Sequence, residues 1–385
     1  MNIIYHHRTR STDAQRIHIQ EIVHAFETLG HRVEVVSLVP TDAGQDDASR
    51  DASDPIWKRL ARRIPFSYEA MQLGYNLVGL PLLLRSMLGK HVDFIYERYS
   101  LFNFSGVIAA RVFGVPLILE VNSPLALEQL RDKDIQLDRL SRWTERWICS
   151  RATRVIVVST PLARIMRQAG VPAAKLEVMV NGVNLENFQS APGSEELRRS
   201  LGIDGQTVIG FVGWFRRWHG LEALLEAFAK SGLAGCAKVM LIGDGQAMPE
   251  LRRYVKEHSM DADVIFTGPL PHAHVPRYLD LIDIAVQPAA NEYCCPMKIL
   301  EYMALGKSIV APRQENIKDL LREGEDAELF TPGEVQSLSE TLRKLVQDRS
   351  RMDDMGRRAR AAITERRFLW SENAARVVAM VQGVR

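Results

Sequence analysis

Short apolar runs alternate with helix-period segments along most of this chain, and that rhythm constrains its fold more than any other feature. A brief run of apolar residues bounded by turn signals reads as a strand buried on both faces. An amphipathic stretch between two such runs reads as the crossover helix of a βαβ unit. Asn2–Tyr5 is the first strand candidate. Ala14–Leu29 follows as a helix whose Ile17, Ile19, Ile22, Val23 and Phe26 make one broad apolar face, and Gly30 stands where a C′ glycine would end it. Val33–Val39, Asp93–Tyr96, Pro116–Val121 and Arg154–Val158 continue the strand series. The rhythm breaks between Asn184 and Gly205, where Gln189-Ser-Ala-Pro-Gly-Ser194 reads as a linker. It restarts with strand Thr207–Val212, helix Leu221–Lys230 and strands Val239–Ile242, Val264–Thr267, Ile284–Gln287 and Ser308–Ala311. The expectation is an α/β protein of two parallel-sheet halves facing across a cleft, with ligands at the carboxyl ends of the strands.

The length of 385 residues suits two domains or three. We place them at 1–188 and 189–368, with a final segment 369–385. Its helix, Glu372–Gln382, either caps the second half or crosses back to the first; the sequence leaves both open. Hydrophobic residues are 46% and charged residues 25%, which excludes a disordered or fibrous chain. The formal net charge is +2, so no global field points to nucleic acid. Four cysteines without a CxxC pair argue against a disulfide framework or a structural zinc site. The amino terminus carries no signal-peptide pattern, and the apolar stretch Ala70–Leu84 is too short to cross a bilayer. A cytoplasmic, soluble protein is expected. Lys58-Arg-Leu-Ala-Arg-Arg63 precedes the apolar stretch Ile64–Leu84. Basic residues beside an apolar helix suit peripheral contact with anionic membrane lipid; the plainer reading is a core helix with a solvated basic end. Thr41–Asp54 is polar and reads as a loop.

The loop after the first strand, His6–Asp13, holds no glycine, so the dinucleotide fingerprint is absent there. Gly243-Asp244-Gly245 lacks the third glycine, and no P-loop occurs. An NAD enzyme or a P-loop ATPase is therefore disfavoured. In the second half, Gly210-Phe-Val-Gly213 ends a strand and Trp214-Phe-Arg-Arg-Trp-His-Gly220 leads into a helix. Free amides and nearby cations at such a turn suit a phosphate, with Arg216, Arg217 and His219 as the cations. The alternative is tryptophan packing with solvated arginines. Pro296 suits the first turn of another helix, where the amides of Met297 and Lys298 would face an anion. Glu301 lies on the same helix face, where a carboxylate can accept hydrogen bonds from a sugar diol. The alternative is that Glu301 only pairs with Lys298.

Pro296-x-Lys298-x-x-Glu301-Tyr-Met-Ala-x-Gly306-Lys-x-Ile-Val resembles the donor-binding helix of retaining GT-B glycosyltransferases, family four of the sequence-based classification. Val157-Val-Ser-Thr-Pro161, Val180-Asn-Gly-Val-Asn184-x-x-x-Phe188, Val239-Met-Leu-Ile-Gly243-Asp-Gly245 and Phe266-x-Gly268 with Asp283 and Pro288 fit the same family in order. The resemblance implies two Rossmann-like domains and hexosyl transfer from a UDP- or GDP-linked sugar to a hydroxyl of a glycan or lipid-linked acceptor. It implies retention at the anomeric carbon, no metal, no cofactor beyond the nucleotide sugar as co-substrate, and a role in surface or exported polysaccharide synthesis. By position it makes Gly213, Arg216, His219, Gly243, Pro296, Met297, Lys298 and Glu301 the donor-binding set. Trp214 stands where the family has Arg and His219 where it has Lys, so Arg216 is the candidate substitute. Tyr293 stands at the usual first Glu, with Glu292 one position away as a catalytic candidate. Asn122 occupies the position of a family His, and Glu120, two residues earlier on the strand, is a further catalytic candidate; the alternative for Glu120 is a structural salt bridge. On the acceptor side we name Arg8 and Asp13, in a loop with His6, His7, Arg10 and Arg16 that suits a phosphorylated or acidic acceptor. A GT-B sugar-nucleotide epimerase, or an inactive nucleotide-sugar-binding protein, is the alternative.

Overall fold

A computed structural model describes residues 1–9, 14–38, 66–132, 135–189, 192–271 and 274–383. Asp13, the loop Thr41–Asp54 and the basic cluster Lys58–Arg63 lie outside the described residues. The chain divides into two compact units. Met1–Val180 with Trp370–Arg385 form the first, and Asn181–Leu369 the second.

In the first unit, β1 (Asn2–His6), β2 (Arg32–Val36), β3 (Phe94–Arg98), β4 (Leu117–Val121), β5 (Arg154–Val157) and β6 (Leu176–Val178) form one sheet in the order β2-β1-β3-β4-β5-β6. Every pair is parallel. All five residues of β4 are buried, as a strand covered on both faces requires. Tyr5 and Tyr96 stack in the core with ring centroids 5.4 Å apart, and Phe26 from the helix Ala14–Thr28 meets Tyr96 edge-on. The helix Trp370–Gln382 belongs to this unit. Trp370 stands edge-on to His18 at 4.7 Å, and Asn373 Nδ2 donates to the Val180 carbonyl at 2.8 Å. The crossing back that the sequence left open is thus what the chain does.

In the second unit, β7 (Thr207–Val212), β8 (Ala237–Ile242), β9 (Val264–Gly268), β10 (Ile284–Val286), β11 (Ser308–Pro312) and β12 (Glu328–Phe330) form a sheet in the order β12-β11-β10-β7-β8-β9, again all parallel. Strand order reverses between β7 and β10, which makes the carboxyl end of β7 the switch point where α/β sheets bind ligands. Gly213 follows that end directly.

The second unit begins at Asn181, before the expected boundary at 188. Asn181 Nδ2 donates to the Cys295 carbonyl at 3.2 Å, and the Val183 amide donates to the Phe368 carbonyl at 2.9 Å. Those bonds tie the Asn181-Gly-Val-Asn184 motif to the body of the second unit. The expected linker also contains a helix, Ser194–Ser200. Gly193 at φ 86° turns the chain into it. Glu195 and Glu196 in its first turn and Arg198 and Arg199 in its last favour the helix dipole.

Candidate donor site and acceptor cavity

The second unit gathers the expected donor residues around the ends of β7 and β8 and the helix Met297–Ala304. Two glycines make the close approach possible. Gly213 (φ 131°) leaves room for Lys298: a Cβ there would lie 2.8 Å from Lys298 Cε. Gly243 (φ 125°) lies against Gly213, whose carbonyl oxygen a Cβ would meet at 2.2 Å. No L-side chain tolerates both the torsion and the contact.

Pro296 caps the helix in extended conformation, and Ile299 already donates back to the Pro296 carbonyl at 3.1 Å. The preceding amides, Met297 and Lys298, have no intrahelical acceptor, as at any helix start. Asn316 Nδ2 fixes the loop before this helix by donating to the carbonyls of Asn291 (2.9 Å) and Cys294 (2.8 Å). The Tyr302 hydroxyl accepts the Val212 amide at 3.1 Å, joining the helix to the end of β7. Neither Asn316 nor Tyr302 was legible as a site residue, because each acts through a partner distant in sequence.

Lys298 does not form an ion pair with Glu301 among the described residues. Its Nζ lies 3.4 Å from His219 Nε2 and 4.7 Å over the Phe211 ring. Burial, outweighing the pull of Glu301, lowers the Lys298 ammonium to about 8. His219 is buried at 4% exposure. Burial first, then the charges of Lys298 and Arg216, push its imidazole down to about 3. His219 is therefore neutral near pH 7, not the second cation considered from the sequence. It accepts the Arg216 amide at Nδ1, 3.3 Å away, and shapes the turn. Arg216 itself is exposed. Glu301 is half-buried, and burial raises its carboxyl despite Lys298. Glu292 lies exposed in the turn before the helix.

In the first unit, the ends of β1, β3 and β4 border a cavity of about 660 Å³, lined by residues that include Arg8, Tyr75, Arg98, Tyr99 and Asn122. Arg8 lies over the Tyr75 ring at 4.6 Å and donates to the Gln72 carbonyl at 3.3 Å. His6 and His7 are not exposed loop residues: His6 closes β1. Both are buried; His6 lies 3.2 Å from Glu97, and burial leads the effects that push His7 down to about 4.

Glu120 takes a different role from the catalytic one considered above. It is 2% exposed. Its Oε2 accepts from the Tyr96 hydroxyl at 2.7 Å, and its Oε1 accepts from Arg98 at 3.1 Å and from Asn122, with His18 at 3.4 Å. Burial alone would raise this carboxyl, but His18, Arg98 and the hydrogen bonds hold it below the usual range. It is a buried anchor that orients Arg98 and Asn122, the two that line the cavity. The sequence named a salt bridge as one reading but not its partners, since Tyr96 and Arg98 come from β3 and His18 from the helix Ala14–Thr28.

Two family descriptions match the chain. Glycosyltransferase Family 4 matches residues 15–187, and Glycosyl transferases group 1 matches residues 193–362. The chain is 24% identical over 273 residues to the alpha-D-kanosaminyltransferase of Streptomyces kanamyceticus, covering 69% of this chain and 70% of that protein. It is 25% identical over 349 residues to an Escherichia coli UDP-Gal:alpha-D-GlcNAc-diphosphoundecaprenol alpha-1,3-galactosyltransferase, covering 87% and 85%. Anabaena Alr3699/HepE, solved in complex with UDP, superimposes with a TM-score of 0.75 over 100% of both chains at 19% identity. With those two matches running from residue 15 to residue 362 and a parallel-sheet domain in each half, the chain belongs to family 4 of the glycosyltransferases and has the GT-B fold.

Proposed function

We propose that this glycosyltransferase is a retaining, metal-independent hexosyltransferase that takes its sugar from a UDP- or GDP-linked donor. The single observation that carries the reading is the convergence at Gly213. The Lys298 side chain reaches Gly213, where a Cβ would lie 2.8 Å from its Cε and 3.3 Å from its Nζ, Gly243 packs against the Gly213 backbone, and the helix that carries Lys298 begins at Met297 with its first amides lacking intrahelical acceptors. A diphosphate placed on that convergence gains the helix dipole and a partly desolvated ammonium. Glu301, one turn in and without an ion pair among the described residues, is suited to the ribose diol.

The positive field favours charge developing on the leaving phosphate. The bond from the anomeric carbon to the phosphate oxygen breaks, and the bond to the acceptor oxygen forms on the same face. The acceptor proton passes to the leaving phosphate, so no side-chain base is needed.

The acceptor is a glycan or lipid-linked sugar in surface or exported polysaccharide synthesis, and the first-unit cavity receives it. Arg8 and Arg98 give that cavity positive character beside aromatic walls, which suits a sugar joined to an acidic or diphosphate group. Peripheral contact at the cytoplasmic face of a membrane fits this acceptor. No described helix is long and apolar enough to cross a membrane. The helix Asn76–Met87 nevertheless exposes Leu77 at 82% and Val78 at 54%, and Leu88 beyond it at 71%.

The test is transfer from UDP-glucose, UDP-galactose and GDP-mannose to sugar-diphosphate lipids, with EDTA present throughout. An axial product formed from an axial donor, read from the anomeric proton coupling, is expected. An inverted product, loss of turnover in EDTA, or isomerisation of the donor without acceptor would overturn the reading.

A further inference from the structure

Glu145 plays no part in the donor site, yet it is the buried carboxylate that joins two walls of the first-unit cavity. It lies on the helix Asp138–Arg151 and is 4% exposed. Its Oε2 accepts from the Tyr99 hydroxyl at 3.2 Å and from the Ala126 amide at 3.1 Å. Tyr99 begins the wall segment 99–101, just past β3. Ala126 sits in the first turn of the helix Leu125–Arg131, and Asn122, Ser123, Leu125 and Gln129 from that stretch line the same cavity. The Glu128 amide donates back to Pro124, but the Ala126 amide is too early in the helix to find an intrahelical acceptor. One oxygen therefore satisfies a donor on each wall.

We propose that Glu145 is a positioning residue of the cavity: by holding Tyr99 and Ala126 on one oxygen it sets the two wall segments against each other. Its consequence for acceptor binding rests on the reading of this cavity given above; the wall geometry does not.

The groups facing Glu145 are Tyr99 at the end of β3, Glu128 on the helix Leu125–Arg131, and Arg142 and Cys149 on its own helix. Burial dominates among them and raises the Glu145 carboxyl to about 7, from 4.5 in the open chain. The closed wall thus binds a proton that an open, hydrated wall releases. Raising the pH must favour opening, by about tenfold between pH 6 and pH 8. A neutral isostere keeps an acceptor for both donors and removes this step.

The experiment is hydrogen–deuterium exchange of the full chain at pH 6, 7 and 8, corrected for intrinsic rates, on wild type, Glu145→Gln and Glu145→Ala. Peptides covering 99–101 and 122–131 of the wild type are expected to lose about tenfold in protection from pH 6 to pH 8. Glu145→Gln should show no such step. Glu145→Ala should exchange faster at every pH in those peptides only, with the helix Leu221–Ser231 of the second unit unchanged. If Glu145→Ala does not yield folded protein, Tyr99→Phe removes one of the two ties and should speed exchange at 99–101. Wild-type protection in Glu145→Ala, or in Tyr99→Phe where that stands in, overturns the proposal, as does one pH profile shared by wild type and Glu145→Gln. The acceptor reading fails separately: filling the cavity with Met71→Trp, at a half-exposed lining residue, then leaves transfer kinetics unchanged.

Discussion

Replacing Lys298 by Met keeps the length of the side chain and removes its charge. In the free protein Nζ rests over Phe211 and beside His219, in surroundings that lower the ammonium to about 8. A hydrogen bond to a charged group is worth about 1.5–3 kcal/mol. Loss of the ammonium from a bound diphosphate should therefore weaken affinity by about tenfold to about 150-fold. The pH dependence has a fixed sign. A bound diphosphate stabilises the ammonium and raises its pKa above the free value. Binding is then insensitive to pH well below 8, where Lys298 is already charged. Above 8 the complex must take up a proton, and affinity falls by up to about tenfold per pH unit. UDP-glucose is the suitable ligand, since its diphosphate does not titrate in this range. Isothermal titration from pH 6.5 to pH 9.5, in buffers of different ionisation heat, reads both affinity and proton uptake. Wild type should weaken above pH 8 with proton uptake, and Lys298→Met should be weak and flat. Wild-type affinity that stays level through pH 9.5, or a variant within threefold of wild type, would refute the reasoning.

The same contacts set three other outcomes. Gly243→Ala combines an unfavourable φ with a backbone clash against Gly213, and should cost about 1–3 kcal/mol or more in urea denaturation. Glu120→Ala strands Arg98 and His18 in the interior and should cost about 3–5 kcal/mol, whereas Glu120→Gln should cost clearly less; equal losses would contradict its role as a charged anchor. Leu77→Glu with Val78→Glu should reduce flotation with vesicles of one part phosphatidylglycerol to one part phosphatidylcholine and leave the melting temperature unchanged. Equal flotation removes this helix face from the membrane reading.

Much of this architecture was readable from pattern. Thr207–Val212 appears with the bounds its apolar run suggests, and most other long strands shift by one to three residues at an end. The three-residue strands β6 and β12 were missed because each carries a glutamate that breaks an already short apolar run, whereas the equally short β10 is Ile-Ala-Val throughout. The early start of the second unit was hidden because it depends on Asn181 meeting Cys295, far along the chain. The site was legible to the extent that local sequence makes it. The Pro296 cap, the Gly213 and Gly243 turns and Glu301 at helical spacing are all short-range features. Charge states were not legible. For Glu120 the sequence left a catalytic role and a structural salt bridge both open, and only the contacts of Tyr96, Arg98 and His18 with the carboxylate favour the second. His219 looked like a cation until burial beside Lys298 made it neutral.

The central claim is that the helix beginning at Met297 holds the nucleoside diphosphate of the donor. Thermal melting of wild type and Glu301→Ala with UDP, GDP, ADP and CDP tests it most directly, because a ligand that binds the folded chain raises the melting temperature by mass action. The account predicts a shift with UDP or GDP, a clearly smaller shift in Glu301→Ala, and an equal response of both proteins to inorganic pyrophosphate, which carries no ribose. No shift with any nucleotide, or a shift that Glu301→Ala leaves intact, would contradict it.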